Sequence, residues 1–218
     1  MRYRSGSCQG GPAVTTTSGE FALLDETWSS VTPPAARRML IAAAAAFSVR
    51  GYHATTTRDI AAQAGMSPAA VYIHYRSKEE LLFQISRIGH ATSLSVLTGV
   101  SEVDPVARLA AAVRAFASWH AEYHTTARVV QYELSALTPE HLAEVVELRR
   151  RIEAAVRDMV TAGVTAGVFD VPDVRGATLA VLSLCIDVAR WYQPSGRRTP
   201  AEIGDLYADL VLRMVGAT

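Results

Sequence analysis

The sequence predicts an all-α fold, in which an N-terminal three-helix domain with a helix-turn-helix precedes a larger helical domain. Half of the 218 residues are apolar and alanine is abundant, which favours helices. Turn-forming clusters are scarce after residue 32, and no segment alternates as strands do. The stretch 51–83, GYHATTTRDIAAQAGMSPAAVYIHYRSKEELLF, reads as two short helices around a tight turn with another helix following.

The N-terminal residues 1–32 are rich in Gly, Ser and Thr, and we expect a mostly disordered extension. The segment 21–28, FALLDETW, is more apolar and could dock as a short helix. The first predicted helix then covers 33–50, with Pro34 in its first turn and Gly51 just beyond its end.

Capping residues define the next three helices. Thr56, with Asp59 three residues later, begins one helix, and Gly65 ends it. Ser67 caps the following helix with Pro68 at its first position, and Ser77 caps a fourth. These signals agree on one three-helix packing, which predicts a helix-turn-helix domain over residues 33–85.

The remaining residues, 86–218, are expected to form a second domain, connected through the helix at 78–98. Five further helices, about nine in all, are predicted at 104–123, 126–136, 139–167, 172–193 and 200–216, and all but the second have a proline-marked start.

Charge is distributed unevenly along a chain whose net charge is zero. Residues 33–87 carry seven basic and three acidic side chains, or +4, whereas residues from 91 onward carry twelve arginines and fifteen acids, or −3. A basic small domain joined to a slightly acidic larger one suits contact with double-stranded DNA at one end only.

The segment TTTRDIAAQAGMSPAAVYIHYRSKEEL resembles the DNA-binding domain of TetR/AcrR-type transcriptional regulators. The resemblance implies a ligand-responsive regulator, most often a repressor released by its effector, although an activator stays open. The predicted DNA-contacting residues are Thr56, Thr57, Ser67, Pro68, Ala69, Ala70, Tyr72, His74, Tyr75 and Lys78. Lys78, for which the family implies a phosphate contact, is the sole lysine; the alternative is a solvated side chain.

A homodimer is expected, because helix-turn-helix proteins usually read two operator half-sites. Residues 177–189 are nearly apolar all round, and residues 203–215 carry an apolar face. The resemblance implies that these last two helices form the interface, although part of each belongs to an ordinary core. The predicted interface residues are Leu182, Cys185, Ala189, Leu206, Leu210 and Met214.

An effector pocket is expected where aromatic and polar side chains stand among alanines. The candidates are Trp119, His120, Tyr123, Tyr132, Glu133, Arg190 and Trp191, although a single Tyr or His is more often a core or surface residue. The C-terminal string VARWYQPSGRRTPAEIGDLYADLV is similar to TetR-type regulators of fatty-acid and steroid catabolism, the KstR2-like and FadR-like group. That similarity implies an acyl-CoA effector. The arginines at 149–151 could serve its phosphates or be a solvated face.

Other classes of protein fit less well. We expect no enzyme activity, cofactor or metal, because neither a nucleophile elbow nor a phosphate loop, metal spacing or paired-carboxylate motif is present. With two cysteines and no membrane-span or signal-peptide pattern, the sequence indicates a cytoplasmic protein. The alternatives are a multidrug- or metabolite-sensing repressor of efflux or catabolic genes and, more remotely, a helical adaptor that does not bind DNA.

Overall fold

The computed structural model describes residues 17–217, and all of the regular structure within that range is helical. The predicted all-α fold is therefore confirmed. The helices are α1 (Thr17–Thr27), α2 (Pro34–Arg50), α3 (Thr57–Gln63), α4 (Pro68–His74), α5 (Lys78–Thr98), α6 (Pro105–Glu122), α7 (His124–Tyr132), α8 (Pro139–Thr165), α9 (Val174–Trp191) and α10 (Pro200–Met214). A short 3-10 turn at Leu134–Ala136 follows α7.

The helix-turn-helix begins and ends where the capping residues indicate. Thr56 and Asp59 form a reciprocal capping box at the start of α3, and the Ser67 hydroxyl accepts a hydrogen bond from the Ala70 N–H at the start of α4. Gly65 has a φ of 68° in the turn between these helices, a conformation that glycine adopts without steric cost. Local sequence thus sets the geometry of this motif.

The extension was expected to be mostly disordered, with a possible short helix at FALLDETW; residues 17–27 do form a docked helix, α1, which begins four residues earlier. Leu24 and Trp28 are buried in the core shared with α2, and this apolar area offsets the entropy of ordering the helix. Residues 1–16, the rest of the predicted extension, lie outside the described residues.

Glu20 on α1 also stabilises a distant helix. Its buried carboxylate accepts hydrogen bonds from the backbone N–H groups of Thr125 and Thr126, at 3.1 and 2.8 Å, in the first turn of α7. The Thr126 hydroxyl donates to the same carboxylate at 2.7 Å. A carboxylate supplied by α1 therefore caps the N-terminus of α7.

Two large apolar cores divide the protein differently from the predicted boundary at residue 85. The first contains α1 to α4 and the start of α5, and it extends to Val129, Val130 and Val145 on α7 and α8. The second joins the end of α5 to α6, α8, α9 and α10. The DNA-binding domain therefore packs on α7 through α2, and on α7 and α8 through α5.

Helix α10 lies close along α6. At Gly204 on α10, a β-carbon would lie 2.5 Å from the carbonyl oxygen of Arg114 on α6, so only glycine allows this approach. The close packing fixes the position of α10 and leaves its opposite side exposed.

Candidate functional site

The outward face of α4 is apolar and aromatic. Tyr72 is 57% exposed and Ile73 is 77% exposed, and both lie on the same side of the helix as the exposed Ala69. The Tyr72 hydroxyl lies 3.2 Å from that of Thr57 on α3, which holds the tyrosine across the two helices. This face is free to enter a DNA groove. Its most exposed side chain, Ile73, was not among the predicted contacts, although the spacing of four residues from Ala69 could have indicated it.

Most of the other predicted DNA-contacting residues lie near this face. Ser67 and Pro68 are exposed at the start of α4, and Ala70 and His74 are half-buried. Thr56 is exposed, and its hydroxyl lies 2.7 Å from the Asp59 carboxylate within the capping box. The arrangement offers few side-chain donors for reading bases, as the sequence suggested.

Tyr75 is a correction. It is 6% exposed, and its hydroxyl donates a hydrogen bond to the Ala36 carbonyl oxygen at 3.1 Å. Burial raises the pKa of the phenol to about 12. Tyr75 is therefore part of the domain core, because its side chain points away from the exposed face of α4. The predicted phosphate contact does not fit this position.

Lys78 also makes its main contacts within the DNA-binding domain. Its Nζ donates hydrogen bonds to the carbonyl oxygens of Tyr52 and Thr55, at 2.8 and 2.9 Å, and lies 4.2 Å from the centre of the Tyr52 ring. An ammonium group has three donors, so one is left for the predicted phosphate contact. The main role of Lys78 in this structure is to fix the loop between α2 and α3.

Two carboxylates fasten this domain to the end of α7 and the start of α8. The Tyr52 backbone N–H donates to Glu133 at 3.2 Å, and Glu79 accepts from the backbone N–H of Thr138 and from the His141 ring, at 3.0 and 2.8 Å. His141 also stacks on Phe83, with ring centres 3.8 Å apart. Glu133 was predicted to bind ligand; instead it connects the two domains, and this long-range contact has no local sequence signal.

A large cavity opens between α5, α6, α7, α8 and α9, and we call it the outer cavity. Its volume is about 1080 Å³, and its lining includes apolar side chains of α9 such as Leu182 and Ile186. Four exposed arginines lie along its solvent-facing part: Arg128, Arg149, Arg150 and Arg190. Glu153 and Asp187 also line the cavity, and the Asp187 carboxylate accepts a hydrogen bond from Arg190 Nε at 2.6 Å.

The predicted ligand-binding residues divide between two cavities. His120, Tyr132 and Arg190 line the outer cavity. Trp119 and Tyr123 line a smaller space of about 30 Å³, the inner chamber, whose lining also includes Leu24, Thr27 and Trp28 in and after α1. Trp191 is exposed on α9 and lines neither space.

His90 on α5 lines both cavities, and sequence reasoning missed it. His90 and His120 are buried, and burial lowers the pKa of each to about 4. Each ring Nδ1 lies 2.8 Å from the carbonyl oxygen four residues earlier on its own helix. Both side chains are therefore neutral imidazoles at neutral pH. In the sequence, His90 is a single polar ring on an apolar helical face, and that pattern only weakly indicates a binding site.

The predicted dimer residues fall into two groups. Leu210 and Met214 on α10 are 41% and 39% exposed, Leu206 and Leu182 are half-buried, and Leu179, Leu184 and Trp191 add exposed apolar area on α9. Cys185 and Ala189, however, are buried within the chain itself at 0% and 2% exposure. These two belong to the monomer core, because an α9 that is apolar all round packs one side on α6 and α8.

Two further features bear on the class of protein. No cluster of three or more His, Cys, Asp or Glu side chains suited to a metal occurs in residues 17–217. In the same range, no helix is both long enough and apolar enough to cross a membrane.

An exposed recognition helix on a basic three-helix domain, attached to a helical domain with a large cavity, defines a one-component DNA-binding regulator. Family models agree: that for bacterial regulatory proteins of the tetR family matches residues 40–85, and that for the tetracyclin repressor-like C-terminal domain matches residues 102–215. The chain belongs to the TetR family of transcriptional regulators, whose members act as dimers.

Relatives within the family are transcriptional repressors. The HTH-type transcriptional repressor KstR2 of Mycobacterium tuberculosis is 31% identical over 174 residues, covering 77% of this chain and 86% of that protein. Its solved structure, described as a ketosteroid transcriptional regulator, has a TM-score of 0.76 at 27% identity and covers 85% of this chain and 96% of that one. A tetR-family regulatory protein from Rhodococcus RHA1 has a TM-score of 0.81 at 44% identity, covering 86% of this chain and all of the other.

Proposed function

We propose that this protein is a homodimeric repressor that leaves its operator when a coenzyme A thioester occupies the outer cavity. The observation that carries the proposal is the combination of a large, partly apolar cavity with four exposed arginines along its solvent-facing part. The protein would act by binding, without catalysis, in the cytoplasm where the chromosome is accessible.

Charge and shape favour this class of effector. Arg149 and Arg150 lie on α8 and Arg128 lies on α7, so positive charge approaches the cavity from two helices; the charge of Arg190 on α9 is offset by its ion pair with Asp187. Arginine pairs well with phosphate oxygens, of which coenzyme A has several, whereas an acyl chain needs the apolar surface that Leu182 and Ile186 supply. A volume of about 1080 Å³ is ample for the acyl and pantetheine portions. The similarity to the ketosteroid regulator KstR2 supports an effector from lipid catabolism.

A physical route connects the cavity to DNA. Arg128, Gln131 and Tyr132 on α7 line the cavity, and Glu133 directly after them accepts a hydrogen bond from Tyr52 in the loop before α3. A ligand that favours one position of α7 would therefore favour one position of the DNA-binding domain. The effector shifts the equilibrium only by the difference between its affinities for the two positions.

Fluorescence anisotropy with labelled DNA from the region flanking the gene tests both halves of the proposal. We expect specific binding that weakens on addition of acyl-CoAs, and insensitivity to the corresponding free acids and to cationic drugs. Release by drugs alone would favour the multidrug-sensing alternative. Absence of binding by a folded dimer at moderate salt would favour the adaptor.

Arginine variants locate the effector site. Arg149→Ala and Arg150→Ala should each raise the acyl-CoA concentration needed for release by about five- to tenfold, because a charge-assisted contact with phosphate is lost. Arg151→Ala is the matched control, since Arg151 is exposed on the same helix but does not line the cavity. Equal effects from all three variants would indicate a general charge effect and contradict the site.

A further inference from the structure

Two residues that line the inner chamber each carry a buried polar atom without a hydrogen-bond partner. Across residues 17–217, the buried side-chain atoms without a partner are Ser86 Oγ, His90 Nε2 and Trp119 Nε1. His90 is only 5% exposed, and both His90 and Trp119 line the inner chamber. A buried polar atom without a partner costs about 1–3 kcal/mol, so two at one small cavity indicate a polar occupant.

The inner chamber adjoins the outer cavity. His90, Ser93, His120 and Gln131 line both spaces. Its volume of about 30 Å³ suits a group of one or two heavy atoms. A ligand in the outer cavity could therefore place one small substituent there.

The two atoms have opposite hydrogen-bonding roles. His90 Nδ1 lies 2.8 Å from the Ser86 carbonyl oxygen, and because a carbonyl only accepts, Nδ1 carries the proton. With the ring neutral, His90 Nε2 is an acceptor. The indole Nε1–H of Trp119 is a donor only. A single group that satisfies both atoms must both donate and accept, as a hydroxyl does; a ketone would satisfy Trp119 alone, and a methyl group neither.

We propose that the inner chamber is a specificity subsite that binds a hydroxyl group on the acyl part of the effector, with His90 Nε2 accepting its proton and Trp119 Nε1–H donating to its oxygen. This inference rests on the proposed function and names the effector more closely as a hydroxyacyl-CoA. Because Leu24 and Thr27 of α1 line the subsite, the N-terminal helix takes part in selecting the ligand.

Isothermal titration calorimetry with matched thioesters tests the subsite. The probes are hexanoyl-CoA, its 3-hydroxy and terminally hydroxylated forms, and 3-oxohexanoyl-CoA. We expect at least one hydroxylated form to bind the wild-type protein about tenfold more tightly than hexanoyl-CoA, and more tightly than the oxo form. Binding of all four probes with equal affinity would overturn the subsite and leave the acyl-CoA proposal intact. Absence of binding by every thioester would overturn both.

Variants identify the atoms responsible. Trp119→Phe keeps an aromatic ring but removes the donor, and we expect it to reduce the preference for the hydroxylated form to below about threefold while hexanoyl-CoA binds as before. His90→Leu should also reduce the preference for the hydroxylated form. If circular dichroism shows that one variant does not fold, the other variant alone tests the subsite. Tyr192→Phe, which alters a buried aromatic residue outside both cavities, should keep the full preference. A preference that persists in both subsite variants would overturn the proposal.

Discussion

Lys78 shows how a single charged side chain can stabilise a recognition domain from within. From the start of α5, its Nζ donates hydrogen bonds to the Tyr52 and Thr55 carbonyl oxygens in the loop that precedes α3. Without Lys78, the two carbonyl groups of this loop would lose these hydrogen bonds. Because the loop leads directly into α3, it helps to position α3 and α4. Arg76 lies two residues away with its side chain exposed to solvent, where a DNA phosphate could approach.

We therefore expect different effects from two neighbouring substitutions. Lys78→Ala should lower the free energy of unfolding by about 1–3 kcal/mol, because two partly buried hydrogen bonds to a charged donor are lost. Arg76→Ala should change stability by less than about 0.5 kcal/mol but reduce the salt slope of operator binding by about 1. Urea unfolding and anisotropy titrations at several salt concentrations distinguish these results. A large change in salt slope with unchanged stability for Lys78→Ala would show that its phosphate contact dominates.

His90 and His120 make stability depend on pH. Burial lowers the pKa of both rings to about 4 in the folded protein, compared with about 6.5 in an unfolded chain. Between these values the unfolded chain binds more protons, so the stabilisation is complete above pH 6.5 and is lost as the pH falls toward 4. At pH 5 the loss is about 2 kcal/mol for each histidine.

Urea unfolding at pH 7.5 and pH 5 should show this loss, and His120→Gln should reduce it by about half, because glutamine does not titrate. The comparison of wild type with variant at both pH values separates His120 from other groups that titrate in this range, among them His124, whose pKa is also lowered by burial. The same pH dependence in the variant and the wild type would show that His120 is not responsible.

Among the helices, α7 connects three parts of the protein. Its N-terminus is capped by Glu20 of α1, its middle lines the outer cavity, and the residue after its end, Glu133, holds the Tyr52 backbone. The side chains of Val129 and Val130 pack into the core of the DNA-binding domain. A rigid, capped helix with these contacts is suited to transmit a change in the cavity.

We expect Glu133→Ala to weaken this transmission. The variant should bind acyl-CoA with nearly unchanged affinity, but the effector should weaken operator binding less, with the coupling free energy reduced by about 1 kcal/mol. Glu133→Gln should restore much of the coupling, because its amide oxygen can still accept from Tyr52. Operator affinities measured with and without saturating effector give the coupling directly. Full coupling in Glu133→Ala would place transmission elsewhere, for example in α5.

At the scale of the whole molecule, exposed apolar side chains concentrate on α9 and α10. Leu184, Leu210 and Met214 are each more than a third exposed, and a second copy is the natural cover, because regulators of this family are dimers. We propose that this face pairs with the same face of a second copy about a two-fold axis, which would match paired operator half-sites.

Leu210→Glu should convert the dimer to a monomer, because a buried carboxylate without a partner is strongly unfavourable at an interface. Operator affinity should fall by more than tenfold while the circular dichroism spectrum is unchanged. Sedimentation velocity measures the oligomeric state. Val103→Glu is the control, since Val103 is apolar and 92% exposed but lies before α6, away from this face. A dimeric Leu210→Glu protein would place the interface elsewhere.

The sequence predicted the helices of the DNA-binding domain closely because their boundaries depend on local chemistry. Thr56, Ser67 and Ser77 each satisfy backbone groups within three residues, and such contacts are legible in a linear sequence. Residues 17–27 were harder, because a short apolar segment becomes a helix only where the rest of the fold supplies a surface for Leu24 and Trp28.

What the sequence determined by itself is the class of protein: an all-α, TetR-type regulator with a basic DNA-binding end, specified by caps, glycines and helical periodicity. The tertiary structure decided the roles of particular side chains, because these depend on residues distant in sequence. In the folded protein Glu133 connects the two domains, Cys185 and Ala189 are buried in the monomer core, and Lys78 donates hydrogen bonds to the loop before α3. The inner chamber is also a product of the fold, since α1, α5 and α6 come together only when the chain has packed its core.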